Sequence, residues 1–220
     1  MKARILITIL LFWIGVNSCK TDVPTETAAA TNAGSMNDVH AGVHNASFSY
    51  YEFVPELEIA MSWDAQNLYG EGSDSIDINS DGDYDLRILM CALNYDSIHL
   101  LTGMPNPFPY CQLIPTNGLE IAYYSESFPI GMGQYATARF SDPLNFNETI
   151  NTLSNWESSF IKMWSENPGG AGTPSFGAWY YVLNENYVAI KMNGPKYGWI
   201  KVNGGSNPKN PKIVSYAIQN

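Results

Sequence analysis

From Ser47 onward, apolar and polar residues come in short bursts. "SFSYYEFV", "ELEIAMSW", "LRILMCAL", "LEIAYY", "GQYATARF", "FGAWYYVL", "YVAIKM", "YGWIKV" and "KIVSYAI" are rich in aromatic and β-branched residues. Turn-forming clusters such as "TGMPNPFP", "NPGGAGTP", "NEN", "NGP" and "NGGSNPKNP" separate many of them. A period of two suits a pleated strand: in "YVAIKM", Tyr187, Ala189 and Lys191 face one way and Val188, Ile190 and Met192 the other. Many short strands with Gly, Pro and Asn between them predict an all-β domain over residues 47–220, an antiparallel two-sheet sandwich of jelly-roll-like type. One stretch follows another period. In "SNWESSFIKMW", Ser154 and Glu157 fit a capping box, and Trp156, Phe160, Met163 and Trp164 recur at helical spacing. This predicts a short helix near 154–165.

The N-terminus reads differently. Lys2 and Arg4 precede an apolar stretch from Ile5 to Val16, too short to span a bilayer comfortably, and small and polar residues then lead to Cys19. Residues 1–18 are a secretory signal. The ending "GVNSC" resembles the lipobox of bacterial lipoproteins. The resemblance implies cleavage before Cys19, lipid on that cysteine and attachment to a membrane. Each buried CH₂ of an acyl chain contributes roughly 0.8 kcal/mol, so several chains would anchor the protein firmly. Lys20 gives no inner-membrane retention signal of the Asp type, which points to the outer membrane of a bacterial envelope, periplasmic or surface-exposed. Residues 19–46 are rich in Thr, Ala, Asn and Gly and predict a flexible tether, because they cannot bury enough surface to offset chain entropy. His40 and His44 lie four apart there, but Gly42 and the lack of further ligands argue against zinc.

Charge and cysteines narrow the partners. The formal charge is −10, and loss of Lys2 and Arg4 would take it to −12. That excess disfavours nucleic acid and anionic membrane surfaces, while it suits cations. With Cys19 assigned to lipid, Cys91 and Cys111 remain as a candidate disulfide in an oxidising compartment; two separate buried thiols are the alternative.

The densest chemistry is in "SIDINSDGDYDLRILM". Glu71, Asp74, Asp77, Asp81, Asp83 and Asp85 crowd one region and would repel one another. With Asp77 as position 1, Asn79 stands at 3, Asp81 at 5, Gly82 at 6, Asp83 at 7 and Asp85 at 9. Alternate oxygens can then converge, and Gly82 permits the sharp turn. Calcium takes six to eight hard oxygen ligands in flexible geometry, so Asp77, Asn79, Asp81, Asp83 and Asp85 are the candidate metal ligands, with Asp83 giving its carbonyl. Glu71, Asp74 or waters are candidates for the remaining oxygens. The loop resembles those of EF-hands, dockerin modules and certain secreted β-repeat proteins. It has Ile88 where an EF-hand carries a bidentate Glu, and "LRILMCAL" reads as a strand. The closer likeness is to DxNxDGxxD loops that lead into β-strands in exported bacterial proteins. No His or Cys adjoins the loop, so a structural calcium ion is expected and a catalytic transition metal is not.

The C-terminal "YVAIKMNGPKYGWIKV" and "KIVSYAIQN" resemble the closing strands of secreted bacterial β-sandwich domains with an early acidic loop and a late "YGW" strand. The likeness runs from Phe48 to Ala217 and implies fold and location, with Tyr197 and Trp199 packed on one face. The expected function is a non-enzymatic binding or structural role in the envelope, with a glycan or another envelope protein as partner. A carbohydrate-binding module is the alternative, with Trp63, Trp179, Tyr180 or Tyr181 stacking on sugars. A glycan hydrolase would need paired carboxylates; Glu120 and Glu126 are the candidates, and no Gly-x-Ser-x-Gly or His-Glu-x-x-His motif is present.

Overall fold

The computed structural model describes residues 38–64, 69–93, 110–131, 134–166, 175–205 and 210–220. The expected signal at 1–18, Cys19, the expected tether as far as residue 37 and His99 lie outside the described residues. The strands are β1 (Phe48–Glu58), β2 (Ser62–Asp64), β3 (Tyr69–Ile76), β4 (Leu86–Leu93), β5 (Tyr110–Pro115), β6 (Leu119–Gly131) and β7 (Gln134–Ser141). They continue with β8 (Trp156–Glu157), β9 (Ile161–Glu166), β10 (Ser175–Phe176), β11 (Glu185–Met192), β12 (Lys196–Asn203) and β13 (Lys212–Gln219).

The all-β class is observed. The strands lie on one continuous sheet, in the order β1-β13-β12-β11-β6-β7-β9-β5-β4-β3-β2, with β8 and β10 as side branches. The sheet is mixed, because β7 runs parallel to β9, and it curls into a half-barrel. Strand β6 makes the curl. Leu119–Ile121 pair with β11, while Tyr123–Gly131 pair with β7, so one long strand serves both halves. The halves then share a core: Val188, Ile190, Ile200 and Ile218 from one side pack with Leu86, Ile88, Leu113 and Ile161 from the other.

The β11–β13 half is buried on both faces. Val188, Ile190 and Met192 enter the shared core, whereas Tyr187 and Ala189 join Trp199 and Ala217 in a second cluster on the opposite face. Val39 and Ala41 cover that second cluster. The expected tether therefore ends earlier than residue 46. Backbone bonds Ala41 N–H to Glu148 O (2.8 Å) and Ile150 N–H to Val39 O (2.7 Å) hold this segment down, and Trp199 Nε1 donates to Val43 O at 3.1 Å. Gly42, at φ 77°, lies so close to the Tyr187 and Phe146 rings that a side chain there would collide with both.

The expected helix near 154–165 is absent. Trp156 and Glu157 form β8 and residues from Ile161 form β9. The false period has a structural cause. Strand β9 carries a bulge opposite Cys111 and Gln112, which puts Ile161, Met163 and Trp164 all into the core. Two consecutive inward residues break the alternation and imitate a helical stripe. Phe160, counted in that stripe, is exposed, and Glu157 pairs with Arg139.

The Cys91–Cys111 disulfide is also corrected. Both thiols are free and buried. On the β4–β5 ladder, Met90 faces Cys111 and Cys91 faces Tyr110. Cross-strand partners share a face, so the two cysteines project from opposite faces of the sheet and their sulfurs cannot meet. Burial pushes the Cys91 thiol up to about 11 and the Cys111 thiol up to about 12, so both stay protonated at neutral pH.

Candidate functional site

The acidic loop links β3 to β4, and no helix follows it: β4 begins at Leu86. Short polar side chains fold the turn by capping its own amides, as Asx turns do. Asp77 accepts from Ser80 N–H (2.7 Å) and Gly82 N–H (2.9 Å). Asn79 Oδ1 accepts from Asp81 N–H (2.8 Å), and its amide donates to Asp81 Oδ2 at 2.9 Å. Asp81 Oδ1 accepts from Asp83 N–H at 2.9 Å. These bonds hold the Asp81 carboxyl below the usual range, with the Asp83 amide as the main cause. Gly82 sits at φ 95° with open space around it, so the position demands glycine for its backbone alone.

Asp85 closes the loop and differs from the rest. It is 0% exposed. Its Oδ2 accepts from Ile78 N–H (2.8 Å) and Asn79 N–H (3.2 Å), which sets the carboxylate under the turn. Its Oδ1 is equally enclosed and has no hydrogen-bond partner. Burial raises the carboxyl above its ordinary range; the two amides oppose that, and the charges of Asp81 and Asp77 reinforce it. An enclosed anionic oxygen facing like charges, with no donor, is costly unless something positive completes it.

Four of the five predicted ligands, Asp77, Asn79, Asp81 and Asp85, are thus joined within one turn. Asp83 takes part through its N–H and points its side chain to solvent. Glu71 and Asp74 do not contribute: both lie on β3, roughly 20 Å and 10 Å along the strand from Asp77. Among the described residues, no three His, Cys, Asp or Glu side chains stand gathered as a metal cluster. The loop oxygens accept from the turn's own backbone amides.

Distant residues bolt the loop to the body. Asp85 N–H donates to Ile76 O (2.9 Å) and Thr116 N–H to Asp85 O (2.7 Å). Thr116 Oγ1 and Asn117 Nδ2 donate to Tyr84 O at 2.6 and 2.9 Å. Tyr216 Oη donates to Asp77 O at 2.9 Å, and burial, with Asp77 next, pushes its phenol up to about 12. Strands β3, β4 and β13 and the β5–β6 turn therefore meet at this loop. The docking of this turn on Tyr84 leaves no local signal in the sequence.

The other candidates scatter. Trp179 is buried in the core, Tyr180 is partly buried against it, and Tyr181 is exposed. Strand β2 carries Trp63, whose side chain lies outside the described residues. Glu120 and Glu126 lie six residues apart on β6, about 20 Å, which is too far for a glycosidase pair. Glu120 pairs instead with Lys191, whose ammonium lies 5.2 Å from the Trp156 ring centroid. His40 bridges to Thr149, and His44 stacks on Tyr50 at 4.1 Å, so the two histidines have separate packing roles. No family profile, curated protein or solved structure matches this chain.

Proposed function

We propose that the chain is a non-enzymatic cell-envelope lipoprotein, held to a bacterial outer membrane by lipid on Cys19, whose β domain is clamped by one structural calcium ion. Asp77, Asn79, Asp81 and Asp85 supply side-chain oxygens, Asp83 supplies its carbonyl, and water completes the shell. The observation that carries the ion is Asp85 Oδ1, a fully enclosed carboxylate oxygen without a partner beneath a turn of acidic residues. Calcium neutralises the corner and fixes the point where β3, β4, β13 and the β5–β6 turn join. The domain then presents a rigid surface to a glycan or another envelope protein.

Thermal melting tests the clamp. Extracellular sites of this kind bind at about 10⁻⁴–10⁻³ M. At ten times the dissociation constant an ion stabilises the fold by about 1.4 kcal/mol, roughly 3–6 °C for a domain of this size. Calcium should raise Tm by that amount and a chelator should reverse it. Identical melting curves in millimolar calcium and in chelator would refute the clamp.

A further inference from the structure

We propose that the outer edge of β1 binds an extended, basic polypeptide segment, which joins the sheet as an added strand. β1 closes one end of the sheet and pairs with β13 alone. The phase of that ladder shows which backbone groups are open. Asn220 N–H donates to Ser47 O at 2.9 Å, so Ser47, Ser49 and Tyr51 turn their backbone groups toward β13. Phe48, Tyr50 and Glu52 point theirs outward, because alternate residues of an antiparallel strand bond to opposite sides. Phe48 spends its N–H on Asn45 O. Its carbonyl, and the N–H and carbonyl of Tyr50 and Glu52, have no backbone partner among the described residues. Residues 49–52 are all exposed.

This stretch lacks the devices that blunt an edge, which are Lys side chains, Pro and bulges. The register shift comes only after Glu52, and Pro55 follows it. These features end the open stretch and leave residues 48–52 in regular register. Braced rings flank it on both faces. Tyr50 stacks on His44 (4.1 Å) and lies 6.1 Å from Trp199. Tyr51, on the other face, stacks on Tyr216 (5.5 Å) and meets Phe53 edge-on (4.8 Å). An added strand is then held by main-chain bonds and finds an ordered aromatic ring on each face for its alternate side chains.

Charge selects the occupant. β1 carries Glu52, Glu56 and Glu58 and no Lys or Arg, and the whole chain stands at −10. Glu56 and Glu58 are engaged with Asn203, Asn210 and Lys212. Glu52 is exposed and has no side-chain partner among the described residues. By alternation it shares the Tyr50 face, about 7 Å further along the strand. A Lys or Arg opposite Glu52 meets its carboxylate and lies beside the Tyr50 ring. The next residue of the added strand falls on the Tyr51 face, where a β-branched side chain packs well. A second copy of this chain is the poorer occupant: it brings the same acidic strand, and like charges across a ladder destabilise it. The site does not rest on the loop's ion.

Fluorescence polarisation with the full chain tests it, using a labelled, end-blocked octapeptide of alternating Lys and Val and its Glu–Val counterpart. Two further Lys–Val peptides are N-methylated, one at every Lys and the other at every Val. The Lys–Val peptide should saturate at one per chain and slow hydrogen exchange at the Tyr50 and Glu52 amides, while the Glu–Val peptide stays free. Only one of the two methylated peptides should lose binding, because alternate amides face β1; attraction by charge alone predicts that both bind alike. Glu52→Lys should weaken the Lys–Val peptide about ten-fold or more with the melting temperature unchanged. No binding of the Lys–Val peptide, equal affinity of the methylated pair, or unchanged affinity in Glu52→Lys would each overturn the proposal. So would Tyr50 and Glu52 amides already protected by self-association of the chain, which would give the edge to a second copy.

Discussion

Trp199→Ala should lower stability by about 3–5 kcal/mol, as loss of a large buried aromatic does, and so lower Tm by roughly 6–20 °C. Trp199 is fully buried on β12 and its ring meets Tyr187 edge-on at 5.4 Å. It is also the peg for the segment before β1, through the bond from Nε1 to Val43 O. Removing it leaves a cavity and frees that segment at once. Limited proteolysis should therefore cut between residues 38 and 46 in the variant and spare them in the parent. Trp199→Phe keeps most of the ring and loses the hydrogen bond, so it should fall between the two. A Trp199→Ala variant that melts with the parent would mean that the second cluster contributes little.

Asp85→Asn should produce a crossing. In chelator the variant should melt with the parent or up to about 4 °C above it, because it removes an enclosed charge but leaves the new amide N–H without an acceptor, for a net gain of at most about 1 kcal/mol. The amide oxygen can still accept from Ile78 and Asn79. In calcium the order should invert, since the variant cannot supply the anionic oxygen and the parent gains the binding energy. A variant destabilised equally in both media would assign Asp85 to hydrogen bonding alone.

Much of this architecture could be read from the chain. The short runs rich in aromatic and β-branched residues at Phe48, Leu86, Leu119, Gln134, Tyr187, Tyr197 and Lys212 all became strands, because strand preference and turn punctuation are local properties. Strand β3 escaped notice. "YGEGSDSI" is rich in Gly and Ser and holds little apolar surface; ladders to β2 and β4 on either side make it a strand. "FGAWYYVL" looked like a strand and instead turns as a 3-10 helix at Ala178–Tyr181, with Trp179 inward and Tyr181 outward. The β9 bulge and the opposed faces of Cys91 and Cys111 depend on register, which spacing along one strand does not set. At the loop, the candidate oxygens were visible in their spacing. The Thr116 and Tyr216 contacts were not, since those residues lie 32 and 139 positions from their partners. Nor could composition show that Asp85, among so many acids, would be the buried one.

Terbium luminescence measures the central claim most directly. Tyr216 bonds the Asp77 carbonyl and Tyr84 sits in the turn itself, so a lanthanide in the loop would lie close to two phenol rings. Excitation of tyrosine should give terbium emission that saturates at one ion per chain, falls on adding millimolar calcium and is lost in Asp85→Asn. Absence of sensitised emission, or emission that calcium does not displace, would contradict a calcium site between Asp77 and Asp85.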